Sequence, residues 1–123
     1  MPTPTPIISH AVVFRDPAHY CAWPALVRAA DGDLLLAFIR TEHHMYPDGA
    51  IVTMRSKDHG ASWSAPVVAF DTPIDDRECG LTLLPDGRIA MHVWSTFWKA
   101  ENFTCLPCDA YPLMRWRMEA AAR

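Results

Sequence analysis

Residues with the side chains of acid–base chemistry stand close together in the segment 41–49, Thr-Glu-His-His-Met-Tyr-Pro-Asp-Gly. Imidazole side chains are the usual proton carriers in proteins, so His43 or His44 could bind or shuttle a proton. Adjacent residues of an extended loop usually point apart, which argues against one metal ion between the two rings. The Pro-Asp-Gly sequence that ends the segment is also an ordinary turn, because its residue types favour turn geometry for local reasons alone.

Four cysteines occur, and two of them, Cys105 and Cys108, have the spacing of redox and zinc motifs. Neither a second such pair nor a well-spaced histidine pair accompanies them, so the sequence predicts no metal and no cofactor. Cys21 and Cys79 lie in apolar runs, and we expect them to be small buried hydrophobic residues with free thiols.

Residues 56–63, Ser-Lys-Asp-His-Gly-Ala-Ser-Trp, form the most informative short pattern. Ser56 and Asp58 carry short side-chain oxygens that can accept hydrogen bonds from backbone N–H groups a few residues on. Gly60 permits the positive φ angle of a tight turn, and Trp63 can cover that turn with its ring. This octet therefore predicts a rigid, self-capped turn between two strands, with structural roles for all four residues.

The chain contains an internal repeat. Asp31-Gly32 in the first copy corresponds to Asp86-Gly87 in the second, and the spacing between these two turns is the period of the repeat. In each copy an apolar strand, an Asp-Gly turn and a second apolar strand follow one another, which is a strong hairpin signal. Leu26 in the first copy corresponds to Leu81 in the second in the same way. Repeats of roughly 40–55 residues with several strands each are typical of β-propeller blades.

Hydrophobic patterning and turn signals give a coarse assignment of strands and loops. The predicted strands are 10–14, 23–29, 34–39, 50–55, 65–70, 79–84 and 88–95, with a polar loop at 71–77 and a longer loop at 40–49. The four strands from 23–29 to 65–70 would form one blade, and the last two would open the next. The segment MRWRMEAAAR near the C-terminus has helical propensity instead.

Size and composition limit the classes of function. At 123 residues the chain is expected to be one domain or part of a larger one. A net charge of −3 gives no electrostatic reason to expect nucleic acid or an anionic membrane as partner. No apolar run approaches the roughly 20 residues of a membrane span, and the N-terminus lacks signal-peptide features. These features predict a cytoplasmic location.

The octet, the hairpin repeat and the proline-led strand at Trp23-Pro24 resemble the Asp-box β-propellers of the sialidase family, which more often have threonine at the position of Ser62. The resemblance covers roughly residues 10–95. It implies an all-β fold, a partial six-bladed propeller of about one and a half to two blades, each a four-stranded antiparallel sheet. Residues 1–95 would form these blades, and 96–123 a divergent tail, either a partial blade or a short helix.

A closed propeller has at least four blades. The chain would therefore be a piece of a longer protein, or several copies would complete one ring as a homo-oligomer, or the tail would cap the sheet. The fragment interpretation ranks first among these three.

The resemblance also implies an activity, that of an exo-acting glycoside hydrolase with a carbohydrate substrate. Sialidases carry their acid/base aspartate in the loop before the third strand, where Asp48 stands in this chain. Glu42 and His43 are the runners-up for that role, and His43 is also expected among the substrate contacts. A general acid or base must lie within hydrogen-bonding reach of the proton that it moves.

Arg40 and Glu78 would contact the sugar according to the same resemblance, with Arg77 beside them. The alternatives are a solvated arginine at a strand end and an ion pair between Glu78 and Arg77. Ala22 stands where sialidases carry an arginine that grips the substrate carboxylate, and Tyr111 does not lie in the context of their tyrosine nucleophile. A second hypothesis is therefore a non-catalytic propeller module that binds glycan or protein.

Overall fold

The computed structural model describes residues 10–44 and 48–96, and within these ranges the fold is all-β, as predicted, with no helix. The strands are β1 (Tyr20–Arg28), β2 (Leu34–Thr41), β3 (Ala50–Ser56), β4 (Val67–Phe70), β5 (Asp75–Leu83) and β6 (Ile89–Thr96). They form a four-stranded sheet in the order β1-β2-β3-β4 and a two-stranded sheet, β5-β6. All paired strands are antiparallel. In the described part of the chain no helix is long and apolar enough to cross a membrane.

The second sheet repeats the first hairpin along the chain. β5 and β6 begin and end at the positions that correspond, through the sequence repeat, to the bounds of β1 and β2. In the first turn the Ala29 N–H donates to the Asp33 carbonyl at 2.8 Å, and in the second the Leu84 N–H donates to the Arg88 carbonyl at 2.7 Å. The Asp-Gly repeat predicts these two hairpins, and the structure shows both.

Strands β2 and β3 are the central strands of the core, because each contributes buried apolar side chains to the layers on both faces of the four-stranded sheet. One layer lies between the two sheets, and it contains the buried Ala37, Ile39 and Ile51, with Cys79, Leu81, Met91 and Val93 packed against them. The opposite layer contains the buried Phe38, Val52 and Met54, with Phe14, Leu36 and Trp63 packed against them. Complete burial of one such aliphatic side chain contributes about 1.5–3 kcal/mol. The two buried layers therefore hold β2 and β3 in fixed positions, and with them the residues at the ends of these strands.

The strand predicted at 10–14 is wrong, because residues 10–16 are irregular. Val12 is 71% exposed, whereas the Phe14 ring packs 5.4 Å from the Phe38 ring. The apolar run thus lies over the face of the four-stranded sheet without joining its ladder.

The polar loop predicted at 71–77 is also wrong in its second half, since β5 already begins at Asp75. Asp75, Asp76 and Arg77 are buried strand residues. Asp75 pairs with Arg77, Asp76 accepts a hydrogen bond from the Ser95 hydroxyl, and Arg77 donates to the His44 carbonyl. The last two contacts join residues far apart in the chain, so local polarity does not predict them. The tail predicted over 96–123, with its cysteine pair, lies outside the described residues apart from Thr96.

Candidate functional site

Aromatic rings and buried charges meet where β1 and β5 begin. In each hairpin the first residue of one strand pairs with the last residue of the other, Tyr20 with Thr41 and Asp75 with Thr96. We call the group at these ends the strand-end cluster; its members are Tyr20, Trp23, His44, Asp75, Arg77 and Glu78.

Arg77 lies at the centre of the strand-end cluster and is only 1% exposed. Its NH1 group donates to Asp75 Oδ2 at 3.0 Å and to the His44 carbonyl at 2.9 Å. The guanidinium carbon lies 4.9 Å from the centre of the Trp23 ring, which is cation–π distance. Nε lies 4.0 Å from Glu78 Oε2. The arginine charge is therefore balanced within the protein, as a buried charge requires.

Three rings form the aromatic part of the strand-end cluster. Trp23 meets Tyr20 and His44 edge-on at centroid distances of 5.9 and 5.2 Å, and Tyr20 stacks on His44 at 5.2 Å. Trp23 has a φ angle of 50°, where the register of β1 shifts between Ala22 and Ala25. This left-handed conformation is unusual for a bulky residue and costs about 1–3 kcal/mol, so surrounding contacts must maintain it.

Asp76 fixes the beginning of β5 to its neighbours. Its carboxylate accepts hydrogen bonds from the Thr72 N–H at 2.6 Å, the Thr72 hydroxyl at 3.0 Å and the Ser95 hydroxyl at 2.5 Å. Its backbone N–H donates to the Gly49 carbonyl at 3.0 Å. A β-carbon on Gly49 would overlap Asp75 Oδ1 and the Asp76 carbonyl oxygen, so the close approach of residue 49 to the beginning of β5 requires glycine.

Asp48 lies beside this contact, with an exposed side chain. Its carboxylate accepts a hydrogen bond from the buried Thr41 hydroxyl at 2.5 Å and from the Glu42 N–H at 3.3 Å. These bonds tie Asp48 to the end of β2 and hold its carboxylate at the surface. Glu42 and His43, also named as acid/base candidates, are exposed on the same segment.

Arg40 is not brought together with the strand-end cluster. Side chains alternate along β2, so Arg40 shares the face of Phe38, opposite Thr41. Its Nε lies 3.6 Å from Asp16 Oδ2, which also accepts a hydrogen bond from His19 Nδ1 at 2.8 Å.

Desolvation opposes ionisation of Asp16, but hydrogen bonds from Ala18 and His19 and the charges of His19 and Arg40 outweigh it. The pKa of Asp16 is consequently lowered. Arg40 thus belongs to a separate charged group on the other face of the sheet.

The octet 56–63 forms the turn between β3 and β4, at the end of β3 farthest from the strand-end cluster. Asp58 accepts hydrogen bonds from the Ser62 hydroxyl at 2.5 Å, the Ser62 N–H at 2.8 Å and the Ser56 hydroxyl at 2.9 Å. These bonds, led by that of the Ser62 hydroxyl, lower the pKa of Asp58 to about 2. Ser56 also accepts from the Gly60 N–H, and the Trp63 indole donates to the Gly60 carbonyl. All of these contacts stabilise the turn.

Sequence reasoning missed Tyr20 and Asp75 as members of the site, although the repeat contains a signal for them. When the two copies are aligned, Asp75 falls on Tyr20 and Arg77 falls on Ala22. Charged residues therefore replace aromatic or apolar ones at equivalent strand positions. Among the described residues, no group of three or more His, Cys, Asp or Glu side chains could hold a metal ion.

Comparisons with known proteins inform the fold alone. No family model and no curated protein matches the chain. The chain is similar to the crystal structure of a protein of unknown function from Dyadobacter fermentans DSM 18053, with a TM-score of 0.66 and 22% identity over 85% of this chain. The chain spans only 30% of the length of that protein.

Proposed function

We propose that the chain is part of a sialidase-like β-propeller and recognises a carbohydrate at the strand-end cluster. The observation that carries this proposal is the buried Arg77, packed between Asp75 and the Trp23 ring at the matching ends of two repeated hairpins. A four-stranded antiparallel meander followed by a second hairpin is the order expected of successive propeller blades. The octet turn between β3 and β4 supports the same family.

The strand-end cluster has the two kinds of group that a sugar requires. Tyr20 and Trp23 are half-buried, so their rings offer apolar faces against which the C–H groups of a pyranose can pack. The Glu78 side chain is 36% exposed and can accept hydrogen bonds from sugar hydroxyls. Ligand sites commonly combine aromatic walls with a few placed polar groups.

Charge favours a neutral sugar over sialic acid. Arg77 already donates from NH1 to Asp75 and His44, and the carboxylates of Asp75 and Glu78 both lie beside it. Recognition of a substrate carboxylate needs guanidinium groups whose paired donors face the ligand. Ala22 replaces the arginine expected there, and Arg40 lies on the other face of the sheet. The ligand class that we propose is therefore a neutral hexose or N-acetylhexosamine.

Binding of the full chain to a panel of methyl glycosides, measured by titration calorimetry, tests this function. The panel contains neutral hexosides, N-acetylhexosaminides and the glycoside of N-acetylneuraminic acid. We expect binding of a neutral member, a loss of at least about tenfold in affinity for Trp23→Ala, and no loss for Arg88→Ala, a distant exposed arginine. Binding restricted to N-acetylneuraminic acid, or an unchanged affinity for Trp23→Ala, would contradict the proposal.

Hydrolysis of the bound glycan is the second candidate function, with Asp48 as its general acid/base. Its exposed carboxylate is held in place by Thr41 and Glu42 beside the Gly49–Asp76 contact. Asp48→Ala is expected to abolish glycosidase activity and to leave sugar binding in place. Activity that survives this change would remove Asp48 from the role.

Completion of the ring is part of the same proposal. Because a closed propeller needs at least four blades, either further sequence or further copies of the chain must supply the remainder. Light scattering after size exclusion separates these: one discrete oligomer supports a ring built from several copies, and a monomer supports a ring completed by further sequence.

A further inference from the structure

We infer that Arg77 is a positioning residue, which holds the Trp23 ring and residues 42–44 after β2 in one arrangement and does not itself bind the ligand. This inference rests on the proposed function, because it assigns the internal organisation of the same strand-end cluster. It replaces the expectation that Arg77 contacts the substrate directly. Four observations support it.

The first observation is a link between β5 and the segment after β2. Arg77 NH1 donates to the carbonyl of His44, which lies 33 residues earlier in the chain, at 2.9 Å. A backbone carbonyl is a fixed acceptor whatever the side chain of its residue. The bond therefore restrains the backbone at His44.

The second observation is that residues 48 and 49, just before β3, are also fixed to the fold. The Asp76 N–H donates to the Gly49 carbonyl at 3.0 Å, and Asp48 accepts from the Thr41 hydroxyl. Adjacent residues of β5, Arg77 and Asp76, thus restrain the backbone at His44 after β2 and at Gly49 before β3.

The third observation is the conformation of Trp23. Its φ angle of 50° is a strained one for a tryptophan, and it persists only where contacts over-determine it. The guanidinium of Arg77 packs on the ring at 4.9 Å. One side chain of β5 therefore restrains both the aromatic wall of the site and the neighbouring segment.

The fourth observation is that Arg77 is inaccessible. It is 1% exposed, and NH1 is already used by Asp75 and the His44 carbonyl. Trp23 and Glu78, by contrast, are partly exposed. A ligand at the surface of the strand-end cluster would reach these two residues before it reached Arg77.

The test compares Arg77→Lys with a matched control, Arg88→Lys, in the full chain without any ligand. Lysine keeps the positive charge beside Asp75 but loses the planar guanidinium that spans the His44 carbonyl and the Trp23 ring. Arg88 belongs to the same hairpin, pairs with Asp86 at 2.6 Å and is exposed. Amide hydrogen exchange at residues 42–44 and 48–50 reports on the segment. The emission of Trp23, obtained by subtracting the spectrum of the corresponding Trp23→Phe protein, reports on the ring.

Arg77→Lys is expected to raise exchange in this segment by at least about fivefold and to shift the Trp23 emission to longer wavelength. Arg88→Lys should change neither. A folded Arg77→Lys protein with unchanged exchange and unchanged emission would overturn the inference. These readouts need no sugar, so their outcome is distinct from a failure of the panel to bind.

A second variant keeps the inference falsifiable if Arg77→Lys does not fold. Trp23→Leu removes the ring that covers Arg77 and leaves every hydrogen bond of the arginine in place. We expect faster exchange at residues 42–44, because Arg77 loses one of its restraints. Unchanged exchange at these amides would show that the ring and the segment are not coupled, and the inference would be overturned.

Discussion

The hairpins β1–β2 and β5–β6 have equivalent strand bounds and the same turn hydrogen bonds, but they differ at the beginning of their first strands. The first hairpin begins Tyr-Cys-Ala-Trp, and the second begins Asp-Asp-Arg-Glu at the equivalent positions of the repeat. The first supplies the aromatic side of the strand-end cluster, and the second supplies its charges. Backbone geometry thus follows from the shared turn and apolar pattern, whereas the chemistry of the site follows from the positions where the two copies diverge.

The divergent residues depend on one another. Arg77 can be buried because Trp23 covers it and Asp75 balances it. In the first hairpin the equivalent of Arg77 is Ala22, which packs against the core between the two sheets. A duplicated hairpin with two apolar strand ends would have a larger core and no polar group at this point.

The largest difference in stability between a strand-end position and a turn position is expected when the buried charge of Arg77 is removed. Arg77→Ala leaves the carboxylate of Asp75 buried without its cation, which should destabilise the protein by about 3–5 kcal/mol. Arg88→Ala, in the exposed turn of the same hairpin, should change stability by no more than about 0.5 kcal/mol. Urea denaturation measures both, and equal losses would contradict a special role for the strand end.

A smaller effect tests whether the two turns are equivalent. Gly32 and Gly87 have φ angles of 93° and 85°; an added β-carbon would meet nothing within 4 Å at Gly32 and only the Ala30 β-carbon, at an ordinary contact distance of 3.5 Å, at Gly87. Alanine should therefore cost about 1–2 kcal/mol at each glycine through backbone strain alone. Thermal denaturation of the two single variants is the measurement. Clearly unequal losses of stability would show that the two turns differ in energy although their geometry is the same.

The smallest effect is expected far from both strand ends, in the octet 56–63. The pKa of Asp58 is lowered from 3.8 to about 2 in the folded protein. A carboxyl group with a lowered folded-state pKa stabilises the fold above its unfolded pKa, and that contribution is lost as the pH falls through the folded value. Stability should thus fall between about pH 4 and pH 2, and Asp58→Asn should show a weaker fall, measured by urea denaturation across this range. An identical pH dependence in both proteins would contradict the assignment.

Much of the fold could be predicted from local sequence. The Asp-Gly turns and apolar runs indicate the hairpins, and the types of residue in the octet indicate its turn. Local patterns could not show that β5 begins at Asp75, because a run of charged residues is ordinarily a solvated loop. Its burial depends on partners such as His44, which is 33 residues away in sequence from Arg77.

The candidate site could be predicted only in part. The family resemblance directs attention to Glu78 and Arg77, which the structure places in one cluster, and to Arg40, which it places on the opposite face of the sheet. Alternation of side chains along β2 places Arg40 on the same face as Phe38. Which of the two faces this is depends on which β2 residues are buried between the sheets. Tyr20 was missed because its role arises from ring contacts with Trp23 and His44.

A titration of the isotope-labelled full chain with the neutral glycoside, followed by NMR chemical shifts, tests the central claim most directly. If the strand-end cluster binds the sugar, the Trp23 indole and the backbone amides of Tyr20 and Glu78 shift in proportion to occupancy, while the octet 56–63 stays unchanged. Shifts confined to the octet or to the Asp16–Arg40 group, with none at Trp23, would contradict the claim.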